Sequence, residues 1–207
     1  MSRLLLLPLI VLATAAPSAA APADDKRATP EELKMLQDFT RCVAGERGAQ
    51  ARRVLKLDYR TDGYRRSLNN LASDVRPCRP FNGSLRMSGV LLAGGLAEAL
   101  LPKALGGATL RSRTALDPAR PAIPARDAGE YLGLCAVRSM PDQVSALLAT
   151  GPASEEEKAA AAAISANLGP CLRAGASAKL NRPGLRALLA LAAYRIVTHA
   201  QPAPAGS

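Results

Sequence analysis

Apolar positions recur three and four residues apart along most of this chain, the spacing of helices that bury one face. Thr29-Pro30-Glu31-Glu32 opens the first such stretch with a capping threonine, a proline at the first helical position and a glutamate three residues after the cap. Behind it Leu33, Leu36, Phe39, Cys42 and Val43 share one face. A short helix over about 50–57 follows, then one over about 62–75 that stops before Pro77, then one over about 88–101. The order recurs downstream. Asp127 to Val137 carries Tyr131, Leu134 and Cys135, and a short helix covers about 142–149. A second capping box, Ser154 to Glu157, opens a helix reaching about 168, and 182–197 closes the series. The fourth helix of each series is the most apolar: 89–101 carries one charge, Glu98, and 184–197 carries two, Arg186 and Arg195. Thirteen and fourteen residues fall short of the roughly 20 that span a bilayer, so both read as central helices buried nearly all round.

Sliding the chain against itself explains the recurrence. At an offset of 93 residues Cys42 meets Cys135, Cys78 meets Cys171, Pro77 meets Pro170, Leu96 meets Leu189 and Ala97 meets Ala190, without a gap. Conservative matches such as Val54 with Leu147, Arg65 with Lys158 and Leu71 with Ile164 fill the intervals. Alanine and leucine matches come easily in so alanine-rich a chain, but two Pro-Cys dipeptides at one offset do not. The expectation is an all-α protein of two tandem, similar units of about four helices each: 31–101 and 127–197. Between them 102–126, rich in Pro, Gly and Arg, reads as a linker, and 21–30 and 198–207 read as mobile ends.

The repeat also orders the cysteines. Four cysteines allow three pairings, and a unit copied whole carries its own bond, which selects Cys42–Cys78 and Cys135–Cys171. Each bond closes a loop of 36 residues and contributes about 3–4 kcal/mol in the chain-entropy account. A redox pair or a zinc site fits less well, because there is no Cys-x-x-Cys and no close pair of ligands.

Oxidised cysteines suit an exported chain, and the N-terminus reads as an export signal. Arg3 supplies the positive start, Leu4 to Ala16 the apolar run, and Ser18-Ala19-Ala20 the small residues before cleavage, placing the signal at 1–20. No transmembrane span is expected after cleavage, and the location is periplasmic or secreted. Aromatic residues are only 3% of the chain and Trp is absent, so the core must be aliphatic, which favours helix over strand. Losing Arg3 lowers the formal charge from +10 to +9. That charge is uneven: unit one and the linker are each net +4, unit two only +1. The densest basic stretch runs from Arg47 to Arg66, and Arg52, Arg53, Lys56 and Arg60 form a candidate polyanion site. The plainer alternative is a solvated face that aids solubility.

Catalytic signatures are sparse. The sole histidine, His199, stands beside the C-terminal tail, a poor place for a rigidly held base. Asp58 and Asp62 sit among arginines and read as ion-paired, and Glu155 to Glu157 fit a helix first turn, where negative charge is favoured. No cofactor or metal site is expected.

Phe39 beside Cys42, Leu147-Leu148, the Pro77-Cys78 and Pro170-Cys171 pairs, Leu85 to Ser88 and Gly95 to Leu100 together resemble a group of small exported alphaproteobacterial proteins with a duplicated two-cysteine helical unit. The resemblance covers roughly 31–197 and implies a secreted or periplasmic location, with no activity to transfer. The function expected is therefore a non-enzymatic interaction module of the envelope or extracellular space. Its partner would be an anionic polymer, an anionic lipid or an envelope protein. An envelope-acting enzyme without a recognisable motif is the alternative.

Overall fold

The computed structural model describes residues 28–73, 75–78, 88–115, 122–172 and 180–199; the expected export signal lies outside them. The described residues form nine α-helices and no strand. In chain order these are α1 (Pro30–Glu46), α2 (Gly48–Lys56), α3 (Asp62–Ser73), α4 (Gly89–Leu105), α5 (Leu110–Thr114), α6 (Ala128–Ser139), α7 (Pro141–Ala149), α8 (Glu155–Ala166) and α9 (Arg182–Thr198). Two 3₁₀ turns, Arg76–Cys78 and Gly169–Cys171, precede α4 and α9 respectively.

Local chemistry starts most of these helices. Thr29 accepts from the Glu32 amide at 3.2 Å while the Glu32 carboxylate accepts from the Thr29 amide at 2.7 Å, completing the capping box. Ser88, Asp127, Ser154 and Asn181 cap α4, α6, α8 and α9 by accepting from the amide three residues on. The helix expected to end at Leu101 instead runs through Pro102 to Leu105 and stops at Gly106, whose positive φ of 60° provides a left-handed C-cap.

α4 and α9 are the central pair, with α1 laid on α4 and α6 on α9. Their crossing is unusually close. A Cβ on Gly94 would lie 2.4 Å from the Cβ of Ala187 and 2.5 Å from its Cα, so only glycine permits this approach. Outer contacts use the same device. A Cβ on Gly95 would meet Thr40 Oγ1 at 2.7 Å, and one on Gly133 would meet Ala192 at 3.1 Å and Leu188 at 3.2 Å. One continuous apolar cluster runs through both halves of the chain, from Phe39, Val43, Leu71 and Leu96 to Val137, Leu147, Ile164 and Leu189. The apolar fourth helices are thus core elements, and no helix among the described residues is long and apolar enough to cross a membrane.

Both disulfides have the expected pairing. Cys42–Cys78 ties α1 to the first 3₁₀ turn, with Cα atoms 5.5 Å apart, and Cys135–Cys171 ties α6 to the second, at 5.6 Å. Such bonds belong to an oxidising, extracytoplasmic compartment.

Two local expectations need correction. The stretch 102–126, expected to lack periodic structure, contains the last turn of α4 and the whole of α5. Ser154 and Glu157 make only half of a capping box: Ser154 accepts from the Glu157 amide at 3.1 Å, but the carboxylate accepts from the Ala153 amide at 2.8 Å and is otherwise turned inward.

Candidate functional site

Three clusters of polar side chains stand out from the helical frame. The most buried is centred on Arg186, which α9 carries into the interior at 6% exposure. Its Nε and Nη2 donate to the two oxygens of Glu98 on α4, at 2.8 and 2.7 Å. Nη1 donates to Glu157 on α8 at 3.2 Å and to the Leu147 carbonyl and Thr150 hydroxyl at 3.1 Å. Nη2 also reaches the carbonyls of Leu148 at 3.2 Å and Thr150 at 2.9 Å. The guanidinium thereby ties the C-terminal carbonyls of α7 to α4, α8 and α9, a favourable place for a cation. Burial works against its charge, and the bonds to Glu98 and Glu157 outweigh that and raise its pKa.

Glu157 is 1% exposed and also pairs with Arg182 at 3.2 Å; Gln37 donates to Glu98 at 3.0 Å. The Glu157 carboxylate also holds Ala153, whose φ of 61° is rare for a residue with a side chain. A cleft of about 50 Å³ beside Gln37, Glu98, Glu157 and Arg186 has room for a water or two at roughly 30 Å³ each, not for a substrate. With its donors and acceptors engaged and two cations against two carboxylates, this cluster is a clamp.

A second cluster joins the turn after α2 to the start of α6. The Tyr59 hydroxyl donates to Asp127, and the Arg126 guanidinium lies 5.4 Å from the centre of the Tyr59 ring. Burial and the Asp127 carboxylate push the Tyr59 pKa well above its ordinary value. Arg60 belongs here. It pairs with Asp58 at 2.7 Å, holding that carboxyl far below the usual range, and it donates to the Arg126 carbonyl at 3.2 Å.

The third place is a groove of about 460 Å³ between the C-terminal end of α1, the start of α2 and the C-terminal end of α4. Arg41, Arg52 and Lys103 line it, with Glu46 as the only carboxylate. Gly45, Gly48, Ala49 and Leu100 also line it, leaving the long basic side chains to set its chemistry. Arg41 has only a loose pairing, 3.9 Å to Asp38, and no carboxylate among the described residues pairs with Arg52 or Lys103.

The four residues expected to form a polyanion site are therefore dispersed. Arg52 enters the groove half-buried, Arg53 and Lys56 stand exposed on α2, and Arg60 is engaged in the second cluster. Arg41 and Lys103 complete the basic lining and escaped the sequence reading, since Arg41 lay outside the dense run and Lys103 inside the presumed linker. Glu157 escaped because a glutamate in a helix first turn already has a local reason to be there. His199 caps the end of α9, and among the described residues no three His, Cys, Asp or Glu side chains converge as a metal site requires. No protein-family model, no curated protein and no solved structure matches this chain.

Proposed function

We propose that the protein is an exported, non-enzymatic interaction module built from two copies of one helical unit, and that the basic groove of the first copy receives an anionic partner. The duplication is supported by element bounds that fall 93 residues apart for α2 and α7, α3 and α8, α4 and α9, and the two 3₁₀ turns. It is supported again at the centre, where Gly94 touches Ala187, its own counterpart at that offset. Equivalent residues meet in this way only near an axis that relates the two halves.

The groove carries the binding reading. It brings three cations from three helices together around a concave surface in the first half, where formal charge is also concentrated. Salt-dependent retention on heparin and on phosphatidylglycerol vesicles tests it. Replacing Arg41, Arg52 and Lys103 with Gln removes most of the retention. Replacing Arg53, Lys56 and Arg60 removes less, because Arg60 is already paired and the other two stand on open helix surface. Both variants lose little melting temperature: Arg41, Arg53, Lys56 and Lys103 are exposed, half-buried Arg52 has no carboxylate partner among the described residues, and the Arg60–Asp58 pair is solvent-facing and contributes little to folding. Equal retention of the wild type and both variants would leave the positive charge as a solubility feature.

A further inference from the structure

The open groove of the first half has a counterpart in the second, and there the chain fills it with its own helix. At the 93-residue offset Arg41, Gly48, Arg52 and Lys103 correspond to Leu134, Pro141, Ser145 and Ile196. α5 packs against α6, α7 and α9, the three helices that frame this second groove. Leu110 and Thr114 of α5 are only 2% and 4% exposed, and under them Leu134, Pro141 and Ile196 are buried. At the rim Arg111 pairs with Asp142, the counterpart of Ala49. A single short helix with one leucine anchor and one rim ion pair is thus what this shape accommodates.

In the first half no helix of the described residues covers the corresponding frame, and its polarity is changed. Arg41 and Lys103 stand exposed where Leu134 and Ile196 are buried, and Arg52 replaces Ser145. We propose that this open groove docks a short amphipathic helix of a partner protein, one that places an apolar anchor between α1, α2 and α4 and acidic side chains against Arg41, Arg52 and Lys103. This rests on the reading of the chain as a duplicated, anion-binding module. The anchor comes from the α5 precedent, and charge complementarity sets the sign of the partner. A second copy of this chain offering its own α5 does not suit, since Arg111 and Arg113 would face three like charges.

The test uses the full oxidised chain and two synthetic peptides copying residues 106–115, each held helical by a side-chain cross-link. One keeps Arg111 and Arg113, and the other carries Arg111→Glu and Arg113→Glu. Binding is read from backbone amide shifts at Gly45, Gly48 and Ala49. The glutamate peptide is expected to shift these amides at least about tenfold more tightly than the arginine peptide. An Arg41→Glu/Lys103→Glu variant, which alters only exposed side chains and keeps Arg52, is expected to reverse the preference. Equal binding of both peptides overturns the proposal. If heparin or phosphatidylglycerol vesicles shift the same amides and the glutamate peptide does not, the helix partner is wrong and the anion-binding reading survives. If none of these probes shifts them, both readings fall.

Discussion

Tyr64 and Glu157 occupy corresponding places in the two halves, 93 residues apart, and both are buried. In the first half Tyr64 belongs to the apolar cluster; in the second, Glu157 meets Arg186, whose own counterpart is the fully buried Ala93. The same backbone position therefore tolerates an apolar or an ionic solution, provided the ionic one is complete. A lone Glu157 or a lone Arg186 would be an unpaired buried charge. The halves also diverge at their edges. Among the described residues the second has α5 over its groove and arginines in clamps, while nothing covers the basic groove of the first. On the reading of the halves as two copies, a common frame would fix which positions are inside but not what chemistry fills them or what covers the outside.

The buried clamp offers the largest effect by which that comparison could break. Arg186→Ala takes the cation from Glu98 and leaves Glu157 with Arg182 alone, and is expected to cost about 3–5 kcal/mol in urea unfolding of the oxidised protein. A loss below about 1 kcal/mol would mean the carboxylates find water or protons easily, and the second half would not depend on its ionic core.

Next in size come the disulfides. Replacing Cys42 and Cys78, or Cys135 and Cys171, with alanine pairs should cost about 2–4 kcal/mol in each half, because the closed loops have the same length. Non-reducing peptide mapping should find the same two linkages. A much smaller loss in the second half than in the first would show that the Arg186 clamp substitutes for its staple.

The smallest effect probes the close contact between α4 and α9. Gly94→Ala forces α4 and α9 apart and is expected to cost about 1–3 kcal/mol. Adding Ala187→Gly moves the missing methyl to the other helix and should restore most of that loss, with the midpoint of thermal unfolding as readout. Additive rather than compensating losses would mean the two positions are not interchangeable.

The same logic of exchanged sizes recurs at the outer contacts. Gly95 against Thr40 in the first half corresponds to Leu188 against Gly133 in the second: each pair contains one glycine, on opposite helices. Packing volume at such a contact is shared between two residues, so no pattern within one helix reveals it. For that reason no sequence pattern around Gly94 and Gly95 could say that Ala187 and Thr40 were the neighbours.

What the chain alone determined were the features written in local or periodic chemistry. Capping residues marked the helix starts, because an N-cap satisfies amides only three residues away. The 93-residue offset selected the disulfide pairing, because both cysteines and the prolines beside two of them recur at that one spacing. The tertiary structure alone decided which charges are buried, how the basic side chains group, and that Leu110–Thr114 is a helix. A helix of five residues is too short to hold itself in water or to show a period, and it exists because Leu110 and Thr114 are buried against α6, α7 and α9. Arg41, Arg52 and Lys103 come together for the same reason: helices distant along the chain meet at one groove, and sequence distance carries no record of that meeting.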